Sequence, residues 1–270
     1  MATALPGRHV VPADEPTLRH YWDSNPSEQD VVIAVIANRK NNPMEIRRRD
    51  MRTLAGTRWL NDVVINAYFW LLVRRSRDGG AGVPSPPKVW AHLSFFYSML
   101  RDDGVGKVEG HSKRSGNIFE LDMMVMPVHD GGHWTCGFVD FREKIIGRYD
   151  PLGGRLAGFF SNMRKYLGHE AWATGAALNA DEWTEQSICG PMQTNDYDCG
   201  VFVCQFASCL LLGLPPHFTQ GNMPGYRRSM ALELGRGRCD TPPAPFDALV
   251  AKRGQGCTDA VLLGIAFPML

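Results

Sequence analysis

The chain carries almost no net charge: Lys and Arg total 29 against 28 Asp and Glu. A global basic field for nucleic acid is therefore not expected. Long apolar runs are missing too. The longest, residues 201–214, is interrupted by Gln205 and Ser208; it is too short to cross a bilayer, reads as a core helix, and implies no membrane partner. The opening Met1-Ala2-Thr3-Ala4-Leu5-Pro6 lacks the apolar centre of a signal peptide. Among seven cysteines no Cys-x-x-Cys pair occurs. Cys199, Cys204 and Cys209 are spaced by five, which on a helix turns each about 140° from the last and prevents them from sharing a metal. His92, His129 and His217 have no partner at ligand spacing and read as structural. No metal or organic cofactor is implied, and reduced thiols in the nucleus or cytosol are the expected state. Repeats and heptads are absent. The one basic run, Arg47-Arg48-Arg49, reads as a solvated turn in preference to a targeting patch.

What is present is a cysteine at the junction of a polar loop and an apolar helix. Gln193-Thr194-Asn195-Asp196-Tyr197-Asp198-Cys199-Gly200 runs directly into residues 201–214. A helix N-terminus has unpaired N–H groups and a positive partial charge, both favouring thiolate. A free thiol of pKa about 8.5 is only a few per cent ionised near neutrality, so full ionisation raises the reactive fraction roughly twenty- to fifty-fold. The helix end alone does not supply that, so a histidine base is expected elsewhere.

Residues 121–128 read as a strand. Gly131-Gly132 then turn the chain into His133-Trp134 and a second strand through Phe141, and a third covers residues 144–150. With a turn near Arg142-Glu143, the last two strands form an antiparallel hairpin that brings Asp150 within a residue or two of facing His133. A carboxylate there can bond one ring nitrogen and leave the other for a thiol, the geometry of a nucleophile–base–orienter triad. Gln193 adds an amide that, with the Cys199 N–H, would form an oxyanion hole. Taken singly, each residue has a plainer reading: a satisfied His, a turn-forming Asp, a packed Cys, a solvated Gln.

The pattern His133-Trp134, Tyr149-Asp150, Gln193-x-Asn195-x-x-Asp198-Cys199-Gly200 resembles the sentrin (SUMO)-specific cysteine proteases of the ubiquitin-like-protease family. Further matches are Trp59-Leu60-Asn61-Asp62 with Val64-Ile65-Asn66, then Phe95-Phe96-Tyr97, then Phe218-Thr219-Gln220 with Met223-Pro224 and Arg227. The resemblance implies an α+β, papain-like fold with a central mixed sheet flanked by helices. It assigns His133 as base, Asp150 as orienter, Cys199 as nucleophile and Gln193 as oxyanion donor. It also implies that Trp59 and Trp134 enclose the Gly-Gly tail of a SUMO-type modifier, where any Cβ would meet an indole. The alternative is that they are core tryptophans. Asp62 either meets a basic residue of the modifier or caps its own helix. Residues 31–238 are then the catalytic domain, 1–30 an N-terminal tail, and 239–270 an extension of unknown role, opening on the linker-like Pro242-Pro243-Ala244-Pro245 and carrying an apolar stretch at 260–267.

The remaining expectations are a strand at 31–37, an amphipathic helix from Asn61 to about Arg75, a Gly/Pro-rich loop at 79–87, renewed structure over 89–100, a crossover helix at 155–167, a variable loop at 171–181 and a last core helix at 222–234. The implied activity is cleavage after the C-terminal Gly-Gly of SUMO, in precursors and lysine conjugates, by a monomer. Rivals are the same chemistry on another ubiquitin-like modifier, a His-Asp-Cys acetyltransferase, and a non-enzymatic modifier-binding protein.

Overall fold

A computed structural model describes residues 10–36, 43–78, 86–112, 114 and 116–239. The expected linker and apolar stretch of the C-terminal extension lie outside them, as does most of the loop at 79–87. The elements run α1 (Glu15–Tyr21), β1 (Val32–Ile36), β2 (Met44–Arg47), α2 (Arg48–Met51), α3 (Asp62–Asp78), β3 (Val89–Ala91), α4 (Phe95–Asp103), α5 (Val105–Ser112), β4 (Met123–Asp130), β5 (His133–Asp140), β6 (Ile145–Tyr149), α6 (Phe159–Thr174), β7 (Thr184–Ile188), α7 (Cys199–Leu212) and α8 (Met223–Arg236). The architecture is α+β.

A five-stranded mixed sheet, in order β3-β4-β5-β6-β7, forms the centre. Its outer pairs are parallel and the inner meander β4-β5-β6 is antiparallel. Crossover helix α6 links β6 to β7, as a parallel pair requires. Every residue of β5 from Trp134 to Asp140 and all of β6 are buried, so both sheet faces are covered. Helix α7 is apolar nearly all round because it is buried against both α3 and β5. Glycine permits that approach: a Cβ on Gly200 would come within 3.0 Å of Ile65 and 3.1 Å of Leu60.

Three expectations need correction. The stretch 171–181 is helical as far as Thr174, where α6 ends on Gly175 in the left-handed conformation. Arg47-Arg48-Arg49 is not a solvated turn: Arg48 is buried and paired with Glu28, Arg49 with Asp30 and Arg47 with Glu45. The stretch read as an N-terminal tail contains α1, which packs on α8 with Leu18 fully buried. Glu15 and Asp14 pair with Arg228 and Arg236 of α8.

Candidate active site

The β5–β6 hairpin sets the base and its orienter. Its turn falls at residues 141–144, and Cys136 pairs with Tyr149, so Asp150 follows on opposite Thr135, two residues from His133. That offset is bridged by the side chains: His133 Nε2 lies 2.7 Å from Asp150 Oδ1. The carboxylate is held by further donors. Leu152 N donates to Oδ1 at 2.8 Å, Arg148 Nη2 donates to Oδ2 at 2.7 Å, and Arg148 Nη1 reaches Gly154 O at 2.8 Å. Arg148 was not singled out from the sequence. The signal was its place two residues before Asp150, which in a strand puts both side chains on one face.

Burial favours the neutral forms of both partners, and pairing outweighs it. Desolvation pulls the His133 imidazole down, but hydrogen bonds to Asp150 and Cys199 raise it from 6.5 to about 9. Burial pushes Asp150 up, yet the bonds from His133 and Leu152 N and the Arg148 charge hold it below the usual carboxylate range. With Nε2 committed to Asp150, Nδ1 is the ring nitrogen left for the Cys199 thiol, which is buried at the first residue of α7. Burial raises the thiols of Cys136 and Cys204 far above the ordinary value and that of Cys209 to about 12. These are packing residues. Cys189 is disulfide-bonded, which departs from the expectation of uniformly reduced thiols.

Gln193 is buried and tied to the same turn, its N–H donating to Pro151 O at 2.8 Å. Its Nε2 donates to Asn195 O, and an amide nitrogen carries a second hydrogen for another acceptor. Gln193 Oε1 is buried without a partner among the described residues.

The two tryptophans occupy different environments. Trp59 is 57% exposed and lies over the glycine turn, so that a Cβ on Gly132 would meet its ring at 3.2 Å. Trp134 is only 6% exposed, donates Nε1 to Leu60 O at 3.2 Å, and has the exposed His129 ring against it at 4.5 Å. The Leu60 contact joins the two indoles through adjacent backbone. Asn61, not Asp62, caps α3, with Oδ1 accepting from Val64 N at 3.1 Å and Nδ2 bonded to Asp50 at 2.8 Å. Asp62 is thus free of a capping role and stands half-buried in the first turn of α3. His92 is structural, stacked on Phe96 at 3.7 Å, and burial lowers it to about 3. Among the described residues no group of His, Cys, Asp and Glu is arranged to hold a metal, and no helix is long and apolar enough to cross a membrane.

Residues 58–239 match the model of the Ulp1 protease family, C-terminal catalytic domain. A sentrin-specific protease of Caenorhabditis elegans is 36% identical over 224 residues, 82% of this chain and 30% of the relative. Sentrin-specific protease 2 of Mus musculus is 34% identical over 195 residues, 71% of this chain and 32% of its own length. The chain therefore spans about a third of the length of these two curated relatives. Among solved structures, the C-terminal Ulp1 protease domain in complex with Smt3, the yeast ortholog of SUMO, superimposes with a TM-score of 0.71 at 26% identity, covering 87% of this chain and 98% of that one.

Proposed function

The chain belongs to the Ulp1 protease family, and from that premise we propose that it is a cysteine protease and isopeptidase cleaving after the C-terminal Gly-Gly of a SUMO-type modifier, in precursors and in lysine conjugates. The observation that carries the reading is the His133–Asp150 pair at 2.7 Å, with the His133 imidazole raised by both Asp150 and Cys199, three residues drawn from β5, the end of β6 and α7.

In this reading His133 takes the proton of Cys199, and Sγ attacks the carbonyl carbon of the terminal glycine. The carbonyl π pair moves to oxygen, where the Gln193 amide and the Cys199 N–H stabilise it. Collapse of the tetrahedral intermediate breaks the C–N bond, and the His133 imidazolium gives its proton to the departing amine. Water, deprotonated by His133, then attacks the thioester and releases Cys199 as thiol. Asp150 stays ionised throughout, orienting the ring and favouring its cationic form. Trp59 over the Gly131-Gly132 turn covers the glycine-bearing strand of the substrate, with Trp134 beneath it and Asp62 beside the entry as a contact for a basic residue of the modifier. The chemistry asks no metal or cofactor of these residues, and a thiol nucleophile suits a reducing compartment, nucleus or cytosol.

A SUMO probe carrying an electrophile in place of the terminal carbonyl should form a covalent adduct with the purified chain and none with Cys199→Ala. Absence of the adduct, with an equivalent ubiquitin probe reacting instead, would replace SUMO by that modifier; no adduct with either would remove the protease assignment. Release of acetyl groups from acetyl-CoA would favour the acetyltransferase.

A further inference from the structure

The carboxylate immediately before the nucleophile does not do what an acidic residue at a helix start ordinarily does. Asp198 is the N-cap of α7, yet its side chain caps no helix amide. It is buried at 3% exposure and turned away, accepting from Asn195 Nδ2 at 2.7 Å and Gln220 Nε2 at 2.6 Å on one oxygen and from Arg227 Nε at 2.8 Å on the other, where Nη2 also lies at 2.7 Å. Arg227, 2% exposed on α8, extends Nη1 to Thr53 O at 3.1 Å and Nη2 to Tyr197 O at 2.9 Å. Gln220 closes the network by accepting from Thr194 N at 2.9 Å, beside the oxyanion residue.

We propose that Arg227 is a positioning residue that acts through Asp198: it neutralises the carboxylate adjoining Cys199 and withdraws it from the helix amides, leaving those amides and their field to the thiolate and the substrate oxyanion. Gln220 locks the same loop at its other end. This rests on the reading of Cys199 as nucleophile. Among the described residues, His133 from β5 is raised by Cys199, Asp150 and Arg148 stand behind that ring, and Asp198 with Arg227 lies on the chain side. Of these, Asp198 alone opposes the thiolate without touching the base, and Arg227 is the only cation bonded to it among the described residues. A guanidinium is required because one fork must serve Asp198, Tyr197 and Thr53 together, which the single ammonium of a lysine does not span.

The test is the rate of Cys199 alkylation by iodoacetamide from pH 5 to 10 on the whole chain, with Cys199→Ala as blank, alongside kcat and KM on a fluorogenic modifier. Arg227→Gln should move the half-maximal rate up by about one pH unit, a roughly tenfold loss near pH 6.5, while the rate at pH 10 stays within about twofold. Arg227→Lys should keep the profile and lose about tenfold in kcat with KM little changed, through the loosened loop. The pair Asp198→Asn/Arg227→Gln should return the profile to within about 0.3 unit of wild type, because no carboxylate is left to neutralise. A folded Arg227→Gln with the wild-type profile, or a double variant displaced as far as the single one, overturns the proposal. Should Arg227→Gln not fold, Asp198→Asn alone decides: the profile moves to lower pH, and an unmoved one refutes it. Failure of the nucleophile assignment would look different, as wild-type alkylation no faster than the blank.

Discussion

His133 and Asp150 are bonded at 2.7 Å although their backbones are two register positions apart, because Arg148 and Leu152 N hold the carboxylate in the one orientation that reaches back to the ring. The imidazole is a stronger base than a free histidine as a result, which gives the site a definite pH signature.

With His133 raised from 6.5 to about 9, kcat/KM should fall on the alkaline side with an apparent midpoint near pH 9, where the imidazolium needed by the leaving amine is lost. Asp150→Asn should move that limb toward 6.5 and lower kcat by about 10³ to 10⁴, through loss of the oriented cation. The sign for stability is the same. The folded state keeps the His133 proton up to about pH 9 while the unfolded chain loses it near 6.5, so the wild-type advantage over His133→Gln in thermal midpoint is full below 6.5 and disappears as pH rises to 9. An advantage that grows over that interval would contradict the pairing.

Gln193→Ala should lower kcat by about 10² to 10³ with KM changed no more than a few-fold, since an oxyanion donor acts in the transition state and not on bound substrate. Single-turnover formation and hydrolysis of the acyl-enzyme should slow together. A change confined to KM would assign the amide to substrate binding instead.

The two indoles separate contact from framework. Trp59→Ala removes an exposed side chain, so the unfolding free energy should move by no more than about 0.5 kcal/mol while kcat/KM on a Gly-Gly substrate falls at least about tenfold. Trp134→Ala removes a buried indole and its bond to Leu60 O, and should cost about 3–5 kcal/mol of stability besides activity. Urea titration of both variants beside steady-state kinetics distinguishes them. Comparable destabilisation by the two would make Trp59 a framework residue.

Local signals in the sequence carried most of the fold. The turn between β5 and β6 follows from Arg142-Glu143 between two apolar alternations, and α7 from its apolar run, interrupted only by Gln205 and Ser208. The outward displacement of α6, which begins at Phe159 and ends at Thr174, was not legible because Gly158 and Gly175 are the stops, both left-handed, and a glycine signals a boundary only once its φ is known. The hydrogen-bonded pair of His133 and Asp150 followed from hairpin counting. The pairings of Asp198 with Arg227 and of Arg48 with Glu28 join residues 29 and 20 positions apart, and no local pattern reports such a contact. Arg148 is intermediate: strand alternation placed it on the face of Asp150, but only the folded chain shows its guanidinium spanning Asp150 Oδ2 and Gly154 O as a second clamp.

Gly147 tests how far the hairpin governs the site. It stands directly opposite Phe138 in the β5–β6 register, and a Cβ on it would fall 2.0 Å from Phe138 Cζ in a ring with no exposed surface. The ring is hemmed in by its neighbours, including Phe206 of α7 with ring centroids 6.3 Å apart, so it cannot swing aside without moving the helix that carries Cys199. Gly147→Ala should therefore cost about 1–3 kcal/mol or more by overpacking, and should lower kcat beyond what the loss of folded protein explains, because β6 also carries Arg148 and Asp150. Phe138→Leu in the same chain makes room for the new methyl and should recover most of both losses, whereas Phe138→Leu alone should lose about 1 kcal/mol. Recovery of stability without recovery of kcat would mean that strand β6 regains its packing but not the register that aims Asp150 at His133.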